Sequence, residues 1–221
     1  MTGSDWQLVE FSARMAGCST LLILLPGVAL AWLLARRQWP GKALVETFVS
    51  LPLVLPPVVT GLVLLQLFGL RGPVGHWLHA QFGVEVIFTW KAVVLALGTM
   101  SFPLLVLFAR AAIEAVPPGL EQIARTLGAG EGRVLWTITL PLARRGILAG
   151  GLLAFARALG EFGATIMVAG NIPGRTTTLP VAIYSAALNG EDTHAWTLAG
   201  LATVIAFLAL WSGERFLRRR Q

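Results

Sequence analysis

The sequence predicts an all-α protein that crosses a lipid bilayer about five times and carries one short helix between its third and fourth spans. Two observations carry that fold class. Of the 221 residues, 56% are apolar and only 13% are charged, about half the charged share of a soluble domain, and the mean hydropathy is +0.73. The apolar residues also fall in long blocks, each near the roughly 20 residues that a helix needs to cross about 30 Å of hydrocarbon. The basic residues sit between and after these blocks, so the net charge of +6 reads as a topology signal and not as a nucleic-acid surface.

Taken in order, the spans are residues 11–35, 43–70, 88–116, 145–169 and 195–216, all within a single membrane domain covering 1–221. The first ten residues lack the basic stretch of a cleaved signal, so the first block is expected to stay in the mature protein. Pro26, Pro52, Pro56, Pro57 and Pro103 lie inside these blocks. Neighbouring helices can satisfy the carbonyls that proline frees, so kinked and not broken spans are expected. Residues 171–194 are too polar to span and read as an outer-side loop with a helical turn, in which PVAIYSAAL can form a short helix, partial re-entry being the alternative. Trp6, Trp39, Trp77, Trp90 and Trp196 fall near span ends, where amphipathic rings favour the interface.

Five spans divide the basic residues unevenly. One side receives Arg36, Arg37, Lys42, Arg110, Arg125, Arg133, Arg144, Arg145, Arg215, Arg218, Arg219 and Arg220; the other receives Arg14, Arg71, Lys91 and Arg175. Twelve against four places the N-terminus outside, the C-terminus and the 117–144 loop in the cytoplasm, and the C-terminal arginines among lipid headgroups.

The residues offer no catalytic constellation. The two lysines, Lys42 and Lys91, lie outside any phosphate-loop spacing, and His76, His79 and His194 match no zinc pattern. Cys18 is the one cysteine, which excludes an intramolecular disulfide, and in an apolar run it reads as a small packing residue. No enzyme activity, metal or cofactor is expected.

Segment 117–141 is the most informative. Pro117 and Pro118 suit the first turn of a helix, Glu121 complements its dipole, and Gly128 or Gly130 can end it. Leu120, Ile123, Ala124 and Leu127 form one apolar stripe at i, i+3, i+4 and i+7. Two to three turns are marginal alone, so this helix must pack either in the headgroups or into a groove on a soluble partner.

The segment resembles the signature loop of ABC-importer permeases, written EAA-x3-G-x9-I-x-L-P. Here the frame reads Gln122, Ile123, Ala124, then Gly128, Ile138 and the closing pair Leu140–Pro141, with every spacing kept. Gln122 and Ile123 depart from the first two letters, and Glu121 stands one position early. The resemblance implies the transmembrane domain of a type I importer, whose loop is a coupling helix seated in a separate ATP-binding cassette subunit. Further stretches, among them TITLPLARRGILAG and AFARALGEFGATIMVAGNIPGRTTTLP, are similar to permeases of molybdate importers, over most of residues 36–190. Sulfate and thiosulfate permeases share the AFARALGEFG block and are the alternative. The family implies a homodimer around an oxyanion path, fed by a periplasmic or extracellular oxyanion-binding protein. A membrane scaffold or an intramembrane enzyme is the competing class; a secondary transporter lacks the internal repeat and the intramembrane acids that it would use.

Two ion pairs stand at i, i+4. Arg157 and Glu161 lie in the fourth span, where a paired charge is tolerable and a lone one is not; they either lock helices together or line the path. Arg110 and Glu114, at the cytoplasmic end of the third span, read as a solvated pair.

Overall fold

The computed structural model describes residues 3–218, every element a helix. Helix α1 spans Gly3–Arg36, α2 Lys42–Val54, α3 Pro57–Phe68, α4 Pro73–Phe82 and α5 Trp90–Glu114. Then come α6 Pro118–Thr126, α7 Glu131–Val134, a π-helical turn Leu135–Thr139, α8 Leu140–Leu159, α9 Gly163–Ala169, α10 Leu179–Leu188 and α11 Asp192–Arg218. Arg219 and Arg220, counted above among the basic residues, lie outside the described residues.

Among the described residues, four helical stretches are long and apolar enough to cross a membrane, and a fifth is counted if the bent pair α2 and α3 is one span. The centre is α5, with 67% of its most apolar stretch buried against 11% for α11. It packs along α1 and α8 through Ala92, Val93, Ala96, Leu97, Leu105, Ala109 and Ile113, all nearly inaccessible. Small side chains there let helices approach closely, the packing that works where lipid removes the hydrophobic drive between spans.

The structure departs from several of the sequence expectations. Pro26, Pro52 and Pro103 stay inside helices, but Pro56–Pro57 turns the chain through 114° between α2 and α3. A residue before proline is pushed out of the α region; Leu55 precedes Pro56 and Pro56 precedes Pro57, and both are extended, with ψ of 142° and 132°. The double proline therefore breaks what isolated ones leave whole.

The helical stretch that corresponds to the fourth span runs Glu131–Leu159, where the sequence suggested 145–169. Leu140–Pro141 does not stop the chain. Proline has no N–H and its ring crowds the carbonyl four residues back, and the helix absorbs this by widening into the π turn just before it. Residues 179–188 form nearly three helical turns with Leu179, Val181 and Ala186 buried, the short helix that PVAIYSAAL allows. The N–H of Leu179 donates to Ser12 Oγ of α1 at 2.7 Å, fixing this helix to the bundle. Finally, Cys18 is exposed on α1 and is not a packing residue.

The polar contacts sort by end. At one end lie Arg36, Lys42, Glu46, Arg110, Glu121 and Glu131, linked across α1, α2, α5, α6 and α7. Arg110 bonds Glu46 on α2 at 2.8 Å as well as Glu114 at 2.7 Å, so the exposed pair also ties two helices. At the other end Asp5 of α1 meets His194 of α11 at 3.1 Å, and Phe88 N–H donates to Val168 O at 3.0 Å. Trp6, Trp77, Trp90 and Trp196 are exposed.

Candidate functional site

Helix α6 is built at the basic end, past the last turns of α1 and α5. Pro117 takes the N-cap position with ψ 122° and Pro118 opens the helix, where a missing N–H is no loss. At the other end Gly128 adopts φ +85°. Gly128 N–H then donates to Arg125 O and Ala129 N–H to Ala124 O, both at 3.0 Å. This is a Schellman ending, which needs the left-handed residue that glycine supplies without strain. The nine residues of α6 are thus bounded by chemistry local to the sequence.

How the helix is oriented is decided by Glu121. It is 3% exposed, and its Oε1 accepts from Thr139 Oγ1 at 2.7 Å and from Arg36 Nε at 3.2 Å. Arg36 Nη2 lies 3.0 Å from the same oxygen and also donates to the carbonyls of Ile113 and Val116, at 2.9 and 3.1 Å. One guanidinium therefore joins the end of α1, the open carbonyls at the end of α5, and α6. Through Thr139 the carboxylate reaches the π turn that leads into α8. Arg125, one turn on, hydrogen-bonds Glu131 at 2.7 Å; that bond, then the nearby carboxylate charges, hold its guanidinium further above its ordinary range against some desolvation.

With Glu121 facing the bundle, the apolar stripe faces away. At about 100° per residue, Ile123 and Leu127 stand roughly 200° and 240° round the helix from Glu121. Leu120, Ile123 and Leu127 are 45%, 59% and 83% exposed, while Ala124 is half-buried. Gln122 and Gly128 are exposed beside them. Ile138 and Leu140 are half-buried in the π turn and the start of α8, and Pro141 is exposed. The helix thus inverts the usual arrangement, with its acid inside and its aliphatic side chains outside. Such a surface favours burial against a partner.

The other sequence-predicted pair, Arg157 and Glu161, is 2.7 Å apart but does not lie along one helix. Helix α8 ends at Leu159, and Glu161 sits in the break before α9. It is 2% exposed. Its Oε2 pairs with Arg157, and its Oε1 accepts the N–H of Ala164 at 2.8 Å, capping the start of α9. This break lies beside the other one. A Cβ on Gly163 would come 2.8 Å from Pro57, and one on Gly61 would come 2.7 Å from Met167 Cβ. Helices α3 and α9, which both begin at breaks, therefore touch through glycine.

Sequence reasoning found the helix, its limits and its stripe. It missed the inward-facing Glu121, because Arg36 lies 85 residues away and nothing local pairs the two. The early acid in an otherwise kept motif was the one available signal.

The family model described as binding-protein-dependent transport system inner membrane component matches residues 27–221. The molybdenum transport system permease protein ModB of Escherichia coli (strain K12) is 47% identical over 219 residues, covering 99% of this chain and 96% of that one. The sulfate transport system permease protein CysW of Synechocystis sp. is 37% identical over 202 residues, covering 91% and 72%. Among solved structures, the MetNI methionine ABC transporter in an inward-facing conformation gives a TM-score of 0.77 at 17% identity, with both chains fully covered. A bacterial ABC transporter that imports alginate gives the same TM-score at 17% identity, covering 99% and 80%; these likenesses concern the fold.

Proposed function

This chain belongs to the family of binding-protein-dependent transport system inner membrane components, and we propose that it is the permease subunit of an ATP-driven importer of molybdate, with tungstate as a second ion of the same shape. The observation that carries the ATP-driven part is α6: Leu120, Ile123 and Leu127 are presented away from the bundle by an anchor on Glu121. A headgroup-bound helix would turn such side chains toward lipid, whereas a helix seated in a soluble partner projects them. The partner is a separate ATP-binding cassette subunit, which supplies the energy that this chain has no residues to release.

The oxyanion assignment is supported by the likeness to ModB over nearly the whole chain. The sulfate reading is supported by CysW, at lower identity and lower coverage. The basic end carrying α6 faces the cytoplasm, the N-terminus lies outside, and the whole of 1–221 forms one domain. The exposed apolar faces of α2, α3 and α11 are available for lipid and for a second copy that completes the path. A soluble oxyanion-binding protein delivers substrate at the outer end.

The anchor gives the mechanism its physical content. When the ATPase subunits close, α6 is carried with them. Because Arg36, Glu121 and Thr139 join it to the ends of α1, α5 and α8, the displacement passes to spans on both sides of the central helix as rigid-body motion. Arg157 and Glu161 lock the α8–α9 break. Gln122, Ala124 and Gly128 shape the docking face, and Ile138, Leu140 and Pro141 set the π turn that carries Thr139 to Glu121.

Proteoliposomes holding the chain with its ATPase and binding protein provide the test. Uptake of labelled molybdate that requires ATP and resists excess sulfate supports the assignment. Preferential sulfate uptake transfers it to the alternative, and purification without any ATPase points to a scaffold or intramembrane enzyme.

A further inference from the structure

At the end of the bundle opposite α6, a cleft of about 580 Å3 opens between the α3–α4 turn, the 84–89 segment and the loop around Arg175. Two arginines line it, Arg71 and Arg175. Both are exposed, and neither side chain makes a hydrogen bond or ion pair among the described residues. Arg14, Arg36, Arg37, Arg110, Arg125 and Arg157 face a carboxylate, while Arg133 and Arg144, exposed at the opposite end, are likewise without one among the described residues. The one acidic residue on the cleft wall, Glu85, is turned to His79 at 3.8 Å, and Lys91 Nζ reaches the Glu85 carbonyl at 3.3 Å. The lining therefore carries two unpaired arginines against one exposed carboxylate.

The walls are fixed. A Cβ on Gly72 or Gly75 would collide with the carbonyls that close α3, so the turn bearing Arg71 is packed backbone on backbone. Across the cleft, Phe88 is held at φ 59°, a conformation that a bulky residue adopts only under constraint. Its N–H is bonded to Val168 O of α9 at 3.0 Å, which joins this wall to the helix that follows the Arg157–Glu161 break.

We infer that this cleft is an anion-binding vestibule, in which Arg71 and Arg175 receive the tetrahedral dianion at the outer mouth before it enters the path. The inference rests on the importer reading and adds to it a place and two residues. Two point charges at about 6 Å from a dianion, screened by water and salt, give about threefold in occupancy each and about tenfold together.

The test uses the complete transporter in proteoliposomes, with R71Q/R175Q and R71K/R175K double variants. Three quantities are read: labelled molybdate or sulfate carried per ATP hydrolysed, stimulation of ATPase activity by the loaded binding protein, and affinity of the binding protein for the permease. The vestibule predicts a roughly tenfold lower anion-to-ATP ratio in R71Q/R175Q, with binding-protein affinity unchanged and the ratio restored in R71K/R175K. An unchanged ratio in R71Q/R175Q overturns it. So does a loss of binding-protein affinity, which would make the arginines a docking contact for an acidic protein surface. If the unaltered transporter carries neither anion, the importer reading fails, a result separate from both.

Discussion

Replacing Glu121 by Gln tests whether α6 is held by a buried charge. The amide keeps the size and one acceptor oxygen, so Thr139 retains a partner, but Arg36 loses its counter-charge. Removing one member of a buried pair costs about 3–5 kcal/mol when nothing else satisfies the other. Arg36 keeps the Ile113 and Val116 carbonyls, and its side chain is 16% exposed, so the lower figure of about 2–3 kcal/mol applies. At 1.36 kcal/mol per factor of ten, undocked α6 becomes about 30- to 150-fold more populated. A nine-residue helix does not hold itself together in water, so undocking exposes its amides. Hydrogen exchange followed by mass spectrometry should then show residues 120–127 exchanging at least tenfold faster in E121Q, while peptides from α5 stay protected. Protection unchanged within about threefold would refute the reasoning, since a dispensable carboxylate could not be what sets the direction of the stripe.

The remaining predictions concern the glycines and the second pair. A Cβ on Gly128 meets nothing within 4 Å, so the left-handed backbone is what opposes Gly128→Ala and Gly128→Val, at about 1–2 kcal/mol. Molybdate carried per ATP should fall in the order Gly, Asn, Ala, Val; equal ratios across the series would remove the Schellman ending from the account. Gly61→Ala places its Cβ 2.7 Å from Met167 Cβ and 3.0 Å from the Ala164 backbone, so it should destabilise the α3–α9 contact by about 1–3 kcal/mol. A lowered midpoint of thermal unfolding in detergent checks this, with Gly17→Ala, which meets nothing within 4 Å, as the unaffected comparison. Glu161→Gln should lower the same midpoint by leaving Arg157 unpaired, and adding Arg157→Gln should recover part of the loss. Full stability with lost uptake would instead place the pair in the translocation path.

What was legible in the sequence follows from the range of each interaction. Long apolar blocks gave the number of spans, because hydropathy acts over the whole length of a helix. The ends of α6 were legible because proline and glycine act through their own backbone geometry. The double proline was misread as a kink: the effect of Pro57 on Pro56 and of Pro56 on Leu55 compounds, where Pro26 alone is absorbed. The start of the fourth stretch was not legible, since the chain is already helical from Glu131, ahead of the apolar block that begins near 145. Least legible was the site's anchor. The bond between Arg36 and Glu121 forms only after α1 and α5 have packed, so no periodicity announces it. The same holds for the two breaks, which meet through Pro57 and Gly163, residues distant in the chain.

The central claim is that the aliphatic face of α6 is where a separate ATPase engages this permease. Co-purification from cells expressing the full transporter measures this directly, with Ile123→Asp and Leu127→Asp combined in one permease. Both side chains project from the bundle, so the account predicts a permease that inserts, folds with an unaltered melting temperature, and loses its ATPase on purification. Retention of the ATPase in the original proportion by that double variant would contradict it.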